Sequence, residues 1–254
     1  GSEGPLVPPA YLQRLRTDIA PIALRGIAQN ENITITLPQV YVPATTHRGG
    51  EHDEIATRSV SRDDPALLLD RLGETSLYVS AGAGSGKSTF CTWAAYVVAN
   101  GAVPAATVAP PEHYAEHLPE DLTPRLPVLV RLRDLWPDMA LEPGHGDWDR
   151  ATLEENLDTW MAKRKPFGLT ADLFQRNLEA GNLLLLIDGV DEVPESNLRG
   201  KKSVYPRDAL LTGFRAAFPA WREAGNRLLV TSRPYGLDAT QRGWLGLDDA
   251  PLGA

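Results

Sequence analysis

Leu77-Tyr78-Val79-Ser80-Ala81-Gly82-Ala83-Gly84-Ser85-Gly86-Lys87-Ser88-Thr89 is the stretch on which the reading of the fold turns. Ser76 to Val79 is a brief β-type run that breaks into small residues, and Lys87 to Ala99 then reads as a buried helix. Residues 81–88 fit the pattern G-x-x-x-x-G-K-[ST], except that Ala81 holds the first glycine position. Small residues let successive backbone N–H groups curl around an anion without interference from Cβ atoms. The helix that starts near Gly86 directs its unpaired N–H groups and positive dipole end at the same point. Lys87 adds a full charge, and the Ser88 hydroxyl can ligate Mg²⁺. Ala81, Gly82, Ala83, Gly84, Ser85, Gly86, Lys87, Ser88 and Thr89 are therefore the candidate phosphate-binding residues.

Downstream, Leu183-Leu184-Leu185-Leu186-Ile187 is a near-continuous apolar strand, as expected in a sheet covered on both faces. It delivers Asp188 to its C-terminal edge, where open α/β sheets bind ligands and where a carboxylate can hold a largely hydrated Mg²⁺. Asp191 and Glu192 lie just beyond, placed so that one of them could orient or deprotonate a water attacking a γ-phosphate. A third strand, Leu228-Leu229-Val230, ends in Thr231-Ser232-Arg233-Pro234, and an arginine on that edge can report whether a γ-phosphate is present. The alternatives are a glycine-rich turn with an exposed lysine, an ordinary acidic turn, and a surface arginine in an ion pair.

Working outward, Tyr11 to Ala28 has apolar residues at helical spacing with Pro21 as a break, and Ile33 to Leu37 alternates like a short strand. Pro38 to Asp64 reads as a long loop and Pro65 to Leu72 as a short helix. Leu126 to Leu132 and Arg227 to Thr231 read as strands. Thr152 to Lys163, Ala171 to Ala180 and Arg207 to Ala224 read as helices. Strands alternating with helices predict a mostly parallel central sheet in a three-layer α/β fold, with an N-terminal helical lead-in. No strand–helix pattern is legible after Arg233.

The 254 residues are ample for a core without staples, and the 43% apolar and 23% charged composition is that of a globular chain. A formal charge of −8 argues against a broad polyanion- or lipid-binding face, and one cysteine, Cys91, excludes a disulfide framework or a cysteine zinc site. No apolar run approaches a membrane span, Gly1-Ser2-Glu3-Gly4-Pro5 lacks the basic and apolar regions of a signal peptide, and Gly1-Ser2 resembles a tag remnant, so a cytoplasmic setting is expected. Cys91 reads as a buried structural thiol and the tryptophans as core. His113 and His117 read as surface residues without a third ligand, Asn32-Ile33-Thr34 as an inert sequon, and Lys201-Lys202 as a solvated loop or a contact for a subunit or nucleic acid.

Taken together, the motifs resemble the NACHT family of signal-transducing nucleotidases, a P-loop branch related to AAA+ proteins. The resemblance rests on Asp188-Gly189-Val190-Asp191-Glu192, on Thr231-Ser232-Arg233-Pro234, on Leu126 to Leu132 and on Leu173 to Glu192. It also takes in Tyr41-Val42-Pro43, near the base-binding side in relatives, which makes Tyr41 and Val42 candidate nucleotide contacts. It covers roughly residues 10–237. It implies an ASCE-type sheet with an extra strand between the phosphate loop and the Asp188 strand. It further implies binding of ATP or ADP with Mg²⁺ on Ser88 and Asp188, slow hydrolysis served by Asp191, Glu192 and Arg233, and self-association of a longer bacterial signalling protein, with antiphage immunity as the family setting. The 20 arginines against 5 lysines suit a GC-rich bacterial genome. Residues 1–9 are then a tail, 10–72 a lead-in and linker, 73–237 the nucleotide-binding core, and 238–254 the start of a following region. The helical and winged-helix lid of relatives, and any effector and sensor modules, are expected outside these residues. Two other functions are compatible with the same motifs: a scaffold that holds nucleotide without hydrolysing it, and an AAA+-like remodelling ATPase.

Overall fold

The computed structural model describes residues 6–22, 35–36, 45–46, 66–104, 117–144 and 146–252. Tyr41, Val42 and His113 lie outside them. The chain forms helix α1 (Pro9–Ile19), α2 (Leu68–Glu74), strand β1 (Leu77–Ser80), α3 (Lys87–Asn100), β2 (Leu126–Arg131), α4 (Arg150–Arg164), α5 (Ala171–Glu179), β3 (Leu183–Asp188), α6 (Pro206–Glu223), β4 (Arg227–Ser232), α7 (Ala239–Leu245) and β5 (Asp248–Asp249).

Five strands pair in the order β5-β1-β4-β3-β2, and every pairing is parallel. Parallel neighbours cannot be joined by tight turns, so each connection must cross a face of the sheet, and helices supply those crossings. The sequence explains why the strands sit inside. All six residues of β3 are buried, and β2 and β4 are buried except at one end. Helices therefore flank the sheet: α3 packs on β2 and β3, and α5 packs on β3. Farther out, α1 lies on α3, and α4, α6 and α7 pack in series. This arrangement is compatible with three layers. Phe214 stacks on Phe218, and Trp221 meets Phe218 at a tilt, an aromatic run on the buried face of α6.

Two segments depart from the sequence expectation. Ala66–Leu67, read as part of a helix, instead pairs antiparallel with Thr45–Thr46 inside the stretch read as a loop, and the helix begins at Leu68. The first helix stops at Ile19, at the break expected at Pro21, because Pro21 cannot continue the hydrogen-bond ladder. Pro21–Ile22 instead pairs antiparallel with Ile35–Thr36. The helix is also more than a lead-in. Leu15 is fully buried, and the Tyr11 hydroxyl donates to the Pro127 carbonyl on β2 at 2.8 Å.

The other departure follows Arg233, where the sequence shows no further pattern but the chain forms α7 and β5. Asp238 starts α7 with a reciprocal capping box with Gln241. β5 is held by backbone bonds from Asp248 N to Ser76 O (3.2 Å) and from Ala250 N to Tyr78 O (2.8 Å). Two exposed aspartates carry no apolar signal, so a strand made by main-chain pairing alone is invisible to periodicity. Residues 238–252 are thus part of the central sheet and its covering.

Smaller expectations hold. Cys91 is buried, and burial pushes its thiol well above the ordinary range. Trp93, Trp148, Trp160 and Trp221 are buried, while Trp136 and Trp244 pack half-buried against the core. Lys201 and Lys202 sit on an exposed hairpin made of Asn197–Arg199 and Lys202–Val204. Among the described residues, no helix is long and apolar enough to cross a membrane.

Candidate functional site

β1, β3 and β4 are neighbours and run the same way, so their C-terminal ends open on one edge of the sheet. The loop after β1 is tied to the end of β4 by Ala81 N donating to Ser232 O at 3.3 Å. Within that loop Gly84 and Gly86 adopt φ of 77° and 86°, a region in which side chains are strained, whereas Ala81 is not among the positive-φ residues. Alanine is therefore tolerated at position 81, where the motif has glycine, and would not be at 84 or 86. Gly86 begins α3 without any side-chain cap, which leaves the first N–H groups of a 14-residue helix facing the cleft.

Lys87 folds back into its own loop. Its ammonium donates to Ala81 O at 2.5 Å and Gly82 O at 2.8 Å, and reaches Ser85 Oγ at 3.4 Å. Partial burial lowers its pKa, and the nearby Arg233 guanidinium pushes in the same direction. Asp191 and Asp188 oppose the shift. Ser88 and Thr89 are exposed on the first turn of α3.

Asp188, only 6% exposed, ends β3. The Thr231 hydroxyl on adjacent β4 donates to its Oδ1 at 2.7 Å and itself accepts from Gly189 N at 2.9 Å. The carboxylate is thus fixed from one side while it lines the cleft on the other. Asp191 is committed elsewhere. Its Oδ1 accepts from Arg233 N at 3.0 Å, and its Oδ2 pairs with Arg233 Nε at 3.0 Å. Glu192 is freer: among the described residues it pairs with Arg133, at 3.9 Å, whose side chain is more than half exposed.

One cleft is lined by residues 83–89, Asp188, Gly189, Asp191, Glu192, Thr231 and Arg233. The fold thus brings together every candidate from the three motifs except Ala81 and Gly82, whose carbonyls serve Lys87 instead. Sequence reasoning missed Thr231 as the holder of Asp188, Arg133 as the neighbour of Glu192, and Arg207, treated below. For Thr231 a signal existed: a polar residue at the buried end of an apolar strand needs a partner.

The residues present fit the groups the motifs imply. An uncapped helix start beside a glycine loop is a cradle for an anion. One buried carboxylate and one hydroxyl suit Mg²⁺, which keeps several waters and takes few protein ligands. Among the described residues there is no cluster of three or more His, Cys, Asp or Glu that could cage a metal by itself. The chain matches no protein-family model and no curated protein.

Proposed function

We propose that this domain is a P-loop nucleotidase of NACHT type, which binds ATP or ADP with Mg²⁺ and acts as a conformational switch in a longer signalling protein. The observation that carries the reading is the strand order β5-β1-β4-β3-β2. It inserts the Arg233 strand between the Gly-loop strand and the Asp188 strand, as the resemblance implies, and gathers all three motifs around one cleft.

In this reading the amides of residues 83–88 and the Lys87 ammonium bind the phosphates. Ser88 and Asp188 would hold Mg²⁺, which when bound neutralises phosphate charge. Glu192 orients the attacking water, because Asp191 already uses both carboxylate oxygens on Arg233. Arg233 exchanges Asp191 for the γ-phosphate, so its position differs between ATP and ADP. Self-association, a bacterial source and a role in antiphage immunity rest on the family resemblance alone, and the cytoplasmic setting on the sequence reading.

Titration calorimetry tests the reading. Mg-ATP is expected to bind the wild type, and Lys87→Ala should lower affinity by at least about a hundredfold, since a full charge directed at the phosphate is lost. Wild-type affinity in that variant would sink the phosphate-loop assignment.

A further inference from the structure

Arg207 has no place in the three motifs, yet it sits where a cation is least expected. It follows Pro206 on the first turn of the 18-residue helix α6, at the positive end of the helix dipole. Its side chain is only 13% exposed. What offsets that placement is a set of acceptors on two separate loops. Arg207 Nε donates to Val193 O at 2.9 Å, and Nη2 donates to Asp191 O at 3.2 Å. Nη1 donates to Gly236 O at 3.5 Å and to the Glu195 carboxylate at 3.0 Å. Three of these four acceptors are main-chain carbonyls, which the planar fork of a guanidinium can bridge and a lysine ammonium cannot match. Glu195 is 82% exposed, so its ion pair contributes little.

The two loops meet a second time on the cleft side. Asp191 holds both the amide and the side chain of Arg233. Gly236 packs so tightly that a Cβ there would stand 2.2 Å from Ser232 Oγ and 2.8 Å from Asp191 Cβ. The Asp191-Glu192 turn and the Arg233–Gly236 turn are therefore fastened to each other from inside by Arg207 and from the cleft by Asp191.

We infer that Arg207 is a positioning residue. It straps the two turns into one unit and so sets where Glu192 and Arg233 stand relative to the cleft. Its consequence for nucleotide rests on the function proposed above, whereas the strap itself does not.

The test is hydrogen exchange on the nucleotide-free domain, followed by calorimetry with Mg-ATP and Mg-ADP. In Arg207→Ala and Arg207→Lys, amides of residues 189–195 and 231–238 exchange at least about tenfold faster, while α4 is unchanged. Glu195→Gln behaves as wild type in both measurements. The ratio of ATP to ADP affinity changes at least about fivefold in the Arg207 variants, with ADP affinity kept within about twofold. Arg207→Lys keeps charge and length, so it decides the matter should Arg207→Ala fail to fold. Unchanged exchange in the two turns, uniform acceleration across the domain, or full rescue by lysine would overturn the strap. Local loosening with an unchanged ATP/ADP preference would overturn the positioning role. A wild type that binds neither nucleotide would remove the proposed function, and the exchange pattern would still decide the strap.

Discussion

Thr231→Val removes one oxygen from the interior and changes almost nothing in shape. Thr231 is fully buried, and its hydroxyl satisfies two groups at once: it donates to Asp188 and accepts from Gly189 N. Valine leaves a carboxylate without its buried donor and an amide without its acceptor. A hydrogen bond to a charged group is worth about 1.5–3 kcal/mol, and an unsatisfied buried amide costs about 1–3 kcal/mol. The two losses share one atom and are not additive, so about 3 kcal/mol is expected. For a domain of this size that lowers the melting temperature by about 6–12 °C in scanning calorimetry. Thr231→Ser keeps the oxygen and loses only a methyl group, so it should recover most of the loss. Because the same bond fixes the Asp188 carboxylate at the cleft, Mg-dependent nucleotide affinity should fall in the valine variant and return in the serine variant. A Thr231→Val protein melting within about 2 °C of wild type would refute the reasoning, because it would mean that neither group depends on that hydroxyl.

Lys87 gives a pH dependence whose sign follows from its lowered pKa. In the free protein burial disfavours the ammonium, so its charge costs stability below that pKa, and the cost is relieved as pH rises toward the ordinary 10.5. A bound phosphate needs the ammonium, so affinity for Mg-ATP should be full at neutral pH and begin to fall before pH 10.5. Affinity that is flat until pH 10.5 would contradict it. Glu192→Gln should cut steady-state phosphate release by at least about a hundredfold with ATP affinity nearly unchanged. Asp191→Asn should instead weaken the hold on Arg233 and change the ATP/ADP preference more than the rate; the reverse pattern would exchange the two roles. Chelation of Mg²⁺ should weaken ATP more than tenfold and ADP less, since the cleft already carries three acids against two cations; indifference of ATP to chelation would remove Ser88 and Asp188 as its ligands.

The parts of the site legible in the sequence are those whose chemistry is local. Gly84, Gly86 and Lys87 act through the backbone of one loop, and Asp188 announces itself because an acid ends a run of five apolar residues. Their strands could be recognised because full burial on both faces leaves a continuous apolar signature. The order of those strands was not readable from spacing, and the family resemblance supplied the expectation of an inserted strand. What stayed hidden depends on contacts between distant segments. Thr231 and Asp188 are 43 residues apart, and the sequence cannot say that their side chains meet. Likewise Asp191 and Glu192 are adjacent acids on paper. Only the pairing of Asp191 with Arg233 separates a carboxylate that holds a side chain from one left open to the cleft. Arg207 read only as the first residue of a helix, and the β5 residues showed no pattern at all, because neither has an apolar signature to betray its partners.

The cations of the cleft are satisfied internally, and this shapes what any ligand must do. Lys87 rests on two carbonyls and Arg233 on Asp191. An entering anion therefore displaces hydrogen bonds instead of filling bare charges, so only the difference between the new partner and the old one contributes to affinity. For Lys87 that difference is large, because a phosphate carries full charge where a carbonyl carries a partial one. For Arg233 it is small, because Asp191 is already a full anion at 3.0 Å. If the ligand is the proposed nucleotide, the β-phosphate should then dominate binding, and the γ-phosphate should act mainly as a reporter. Near balance between Asp191 and the ligand is what lets Arg233 move between two partners with little net cost, and the turn strapped by Arg207 is the element that such a movement would pull on.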